Sequence, residues 1–170
     1  MSIAQSLLSE FDHEMANTHK MLERIPEAKL DWSPDPESRS LGRLAGHIAE
    51  IPIWGILNTD SLDFSPGGKS IYEPLEVTSR AQLLEAFDRN VALSRDAIEI
   101  APDQVLTRNW QLFFNGSLIL SMPRIGVLRT MLMDHIVHHR GQLTVYYRSN
   151  GVRVSGMYGP MEYRTMAVTA

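Results

Sequence analysis

The chain has 170 residues, enough for one domain with a single core, and its 44% apolar and 21% charged content is that of a globular protein. A net charge of −4 offers no general attraction to nucleic acid or anionic membrane, and the absence of cysteine excludes disulfides, thiolate metal sites and a cysteine nucleophile. No apolar run nears the ~20 residues that cross a bilayer, and MSIAQSLLSEF lacks the basic and apolar regions of a secretory signal, so a cytoplasmic protein is expected.

Placing residues about 100° apart on a helical wheel gathers Leu7, Leu8, Phe11, Met15, Leu22 and Ile25 into one stripe, so residues 2–25 read as a helix closed by Pro26. DWSPDPESRS, with two prolines and several capping residues, is a loop. Ser40 is a suitable N-cap for a second helix bearing Leu41, Leu44, Ile48 and Ile51, which Pro52 should kink or end. Residues 58–77 are rich in Gly, Pro and Ser and carry no usable period. A third helix runs from about Ser79 to Ile100, with Leu83, Leu84, Phe87, Val91 and Ile98 aligned.

RNWQLFFNGSLILSM then places two β-rich runs around Asn115-Gly116, the pair preferred in a two-residue type I′ turn. Pro123 precedes a fourth helix, about Arg124 to Ser149, which Asn150-Gly151 ends. The expected architecture is all-α: a single-domain four-helix bundle spanning residues 1–170, with a short β-hairpin before the last helix.

Without cysteine, a metal site must draw on His, Asp and Glu. His135 and His139 lie within the apolar stripe of the fourth helix, formed by Ile125, Leu128, Leu132, Leu143 and Tyr146. One turn apart, their imidazoles can reach a single ion, and two such rings in a core are costly without a partner. The spacing alone is equally compatible with hydrogen bonding inside the core. His47 sits near the edge of the buried face of the second helix, whereas His138 falls on a flank, His13 opposite the apolar face and His19 at an edge. Three neutral ligands would leave coordination positions open, as in a working site. Competing motifs are incomplete: HHRGQL lacks the zincin glutamate, Glu10 and His13 form the only E-x-x-H, and Gly67-Gly68-Lys69-Ser70 lacks the first glycine of a phosphate loop.

These residues resemble the DinB/YfiT-like superfamily, most strongly in DHIVHHRGQLTVYYR (134–148), with LAGHIAEIPIW (44–54) and MYGP (157–160) in order. The resemblance implies a four-helix bundle, often a homodimer, binding one divalent ion such as nickel or zinc through His47, His135 and His139. It also implies a metal-dependent enzyme, an S-transferase using a small thiol cosubstrate. The alternatives are a non-catalytic, stress-related metal-binding or interaction protein, and a metal-dependent hydrolase. Glu50, one turn after His47, is a candidate catalytic carboxylate set against a solvated surface glutamate. Tyr146 is a candidate donor to substrate set against a core tyrosine. An uncovered hairpin edge around Trp110 and Phe113 is the expected contribution to association.

Overall fold

In the computed structural model, which describes residues 2–53, 60–63, 74–154 and 156–159, three helices begin at a serine whose oxygen accepts an otherwise unpaired backbone N–H. Ser2 caps α1 (Ile3–Leu22), with Gln5 reaching back to the Ser2 N–H; Ser40 caps α2 (Leu41–Glu50), and Ser79 caps α3 (Arg80–Ile100). α1 stops three residues short of the expected Ile25. There Arg24 and Ile25 turn back onto the Met21 and Leu22 carbonyls, and Ile25 remains buried. α2 ends at Glu50 and passes into a 3₁₀ turn (Ile51–Ile53) around Pro52, so the proline tightens the helix end.

After a short helix α4 (Asp103–Leu106), the chain forms a three-stranded sheet of order β1-β2-β3, built from Ser61–Asp63, Asn109–Phe114 and Ser117–Pro123. β2 and β3 pair antiparallel around Asn115 and Gly116, whose φ values of 49° and 72° suit a type I′ turn. β1 lies inside the stretch that showed no period and pairs parallel with β2. Trp110 points into the core at 2% exposure, so it does not form an uncovered edge. Phe114, Leu118 and Ile119 are the exposed apolar residues of the hairpin.

The last helix is continuous but not uniform: α5 (Arg124–Val127) runs through a π-helical segment (Leu128–Asp134) into α6 (His135–Ser149). α3 packs against α1 and α2, and α6 packs against the same two helices, closing a four-helix ring. Phe11, Ile48, Phe87, Ile136 and Leu143 fill its centre. Tyr147 is also fully buried, and its hydroxyl donates to the Met21 carbonyl at 2.7 Å, which satisfies the polar group that burial strips of water.

α2 approaches the 74–78 segment so closely that a Cβ on Gly46 would lie 2.8 Å from the Leu75 carbonyl oxygen and 3.2 Å from Val77 Cγ2. Backbone on one side and a branched side chain on the other leave little room to yield. Gly46→Ala should therefore destabilise the fold by about 1–3 kcal/mol, the usual cost of overpacking. A denaturant midpoint at or above that of the parent would show that the segment simply moves aside.

Candidate metal centre

The neighbouring faces of α2 and α6 bring His47, His135 and His139 together, with one candidate ligand atom from each within 4.8 Å of the others. Their ring centroids are 4.6–5.3 Å apart, and the Nε2 atoms of His135 and His139 are separated by 2.8 Å. His47 and His139 are 6% and 9% exposed, so the cluster is largely withdrawn from water.

The outer nitrogens orient the rings. His139 Nδ1 is 2.7 Å from Gln142 Oε1; donation along that contact leaves the Nε2 lone pair facing His135. His135 in turn donates a ring N–H to the Met131 carbonyl, which turns its own Nε2 toward His139. Two lone pairs that close repel one another unless a cation or a shared proton lies between them. Burial foremost, and then the neighbouring imidazole His47, disfavours the protonated form of His135. Burial likewise pulls His139 down to about 4. Neutral, convergent, partly desolvated imidazoles are the form that ligates a divalent ion. The donor set thus fits such an ion, with a separation that needs only small side-chain adjustment to reach the ~2.0–2.1 Å of zinc–nitrogen bonds.

Glu50 is buried, contrary to a solvated-surface reading, with one carboxylate oxygen 3.7 Å from His47 Nδ1. The Leu75 backbone N–H donates to the Glu50 carboxylate, and Arg43 lies 3.3 Å from it. Tyr146 is half-buried, and its hydroxyl donates to the Arg39 carbonyl at 3.0 Å. Both Tyr146 and His139 line a cavity of about 420 Å³ that also includes Arg39, Leu44 and Gln142. His138 and His13 are exposed, and His19 faces Glu23 and Asp88.

The wheel did not identify Arg140, 2% exposed beside His139 on α6. Its guanidinium pairs with Glu14 and bonds Thr18 Oγ1 and the Glu14 carbonyl, both at 3.0 Å. The Tyr158 hydroxyl accepts from Arg140 and donates to Glu14 at 2.8 Å, tying Tyr158 to α1 and α6. Arg140 falls about 100° from His139, on the flank of the stripe, so its own helix carried no signal; its burial depends on pairing with Glu14 of α1.

The DinB family model matches residues 1–167. An uncharacterized protein of Bacillus subtilis (strain 168), YrdA, is 31% identical over 163 residues, covering 90% of this chain and 86% of its own. Among solved structures, a DinB-like protein from Bacillus cereus ATCC 10987 superposes with a TM-score of 0.70 at 27% identity, covering 92% of this chain and 98% of that one. A DinB-like protein from Bacillus subtilis, YjoA, superposes with a TM-score of 0.65 at 18% identity, over 92% and 99% of the two chains, and so shares the fold. This chain belongs to the DinB family.

Proposed function

We propose that the protein is a metal-dependent enzyme that uses a low-molecular-weight thiol as cosubstrate for S-transfer. In this reading His47, His135 and His139 hold one nickel or zinc ion. The observation that carries the proposal is a convergent three-histidine cluster beside a cavity large enough for a small molecule. A divalent ion bound there would supply a positive charge that stabilises a thiolate, the nucleophilic form of a thiol.

The surrounding residues have separable tasks. Gln142 fixes the His139 ring through Nδ1. Glu50 is engaged by the Leu75 N–H and Arg43, which suits positioning of His47 better than accepting a proton from substrate. Tyr146 holds the 38–39 stretch against α6, so it shapes the cavity wall while its hydroxyl proton is committed to Arg39.

The test is addition of bacillithiol, mycothiol or glutathione to nickel-loaded protein, each with an electrophilic acceptor. A sulfur-to-nickel charge-transfer band and turnover with one thiol are expected. A metal-loaded protein showing neither with any of the three would overturn this reading in favour of metal sequestration.

A further inference from the structure

We infer that the cavity beside His139 contains an anion subsite, in which Arg39 pairs with the carboxylate of a small organic ligand whose other end faces the three-histidine centre. The second half rests on the metal-dependent reading above; the carboxylate subsite does not. Among the described residues the Arg39 guanidinium forms no ion pair and no side-chain hydrogen bond, although it lines a concavity with His139, Gln142 and Tyr146. Its backbone is held there by the Tyr146 hydroxyl. The preceding turn is braced separately, because Asp35 accepts the Glu37 and Ser38 backbone N–H groups and the Ser38 hydroxyl. That nearby carboxylate is therefore occupied within its own turn.

Charge balance argues for the second half, the placement of the ligand's other end. Arg39 lines the same cavity as His139, so its charge would repel a cation held by the histidines. The ligands are neutral, and Glu50 is already engaged by Arg43. An ion with charge +2 beside an unpaired guanidinium leaves the cavity in positive excess. An anion lying between them turns that repulsion into two attractions. A guanidinium favours a carboxylate through paired N–H donors. Leu44, Val145 and the Tyr146 ring supply apolar surface for the body of the ligand.

The experiment compares matched probes on the full chain. With metal-free protein, phenylacetate and 2-phenylethanol are titrated while fluorescence is followed, since Trp32 stacks edge-on against Tyr146 at 5.5 Å. Phenylacetate should bind about tenfold more tightly. Arg39→Gln should remove that preference, whereas Arg39→Lys should keep part of it. With nickel-loaded protein, 3-mercaptopropionate should outcompete 3-mercaptopropan-1-ol by a similar factor, again only when Arg39 is present. Equal affinities, no binding of either phenyl probe, or a preference that survives Arg39→Gln would overturn the subsite. A carboxylate preference without any nickel–sulfur band would keep the subsite and remove the metal–thiol reading.

Discussion

His135→Ala and His139→Ala should each weaken divalent-metal binding by more than ~100-fold, because changes to groups that merely orient a ligand already cost about 10–100-fold. The reason is geometric. The His135 and His139 Nε2 atoms face each other at 2.8 Å, and loss of either leaves two nitrogens where three now converge. His47→Ala belongs to the same class. Gln142→Leu should have a smaller effect, about tenfold, since it removes only the contact that orients His139. His13→Ala and His138→Ala replace exposed rings and should leave affinity unchanged. Competition against a chelator, followed by elemental analysis, reads all six variants. Equal damage from His138→Ala and His139→Ala would mean that a different nitrogen set holds the ion.

The largest stability effect should come from Arg140→Ala, a loss of about 3–5 kcal/mol, as for breaking a buried ion pair from one side. Arg140 and Glu14 have side-chain exposures of 2% and 12%, so water cannot readily replace the missing partner. The change would also leave Thr18, the Glu14 carbonyl and Tyr158 without their guanidinium contacts. For a domain of this size the corresponding fall in melting temperature is roughly 10 °C. A double variant, Arg140→Met with Glu14→Gln, should recover part of the loss by removing the stranded charge. A melting temperature for Arg140→Ala within a degree or so of the parent would show that the pair contributes little.

The sequence made some features readable because their causes are local. Ser40 is the N-cap of α2, the third helix starts at about Ser79, Asn115-Gly116 is the turn, and the spacing of His135 and His139 places both rings on the α2 side of α6. β1 was not readable, because three residues become a strand only by pairing with β2, far along the chain. The fourth-helix stripe was only partly right. A wheel advancing a constant angle per residue favoured Ile125 and Tyr146, whereas Val127 and Tyr147 are the fully buried residues. The same assumption missed the π-helical segment. Glu50 looked solvated because nothing in its own helix shows that the 74–78 segment covers it and supplies a donor.

That π-helical segment makes the aim of the histidines depend on chain length as well as on residue identity. A π-bulge accommodates one residue more than the regular helix would hold. Removing one residue between Leu128 and Asp134 would regularise the helix and rotate all that follows by about 100° relative to α5. Either His135 and His139 would turn away from His47, or α5 and the hairpin joined to it would have to swing round. The surplus residue therefore acts as a phase adjuster: it lets the hairpin end of the helix and the ligand-bearing end satisfy two different packing directions within one unbroken rod.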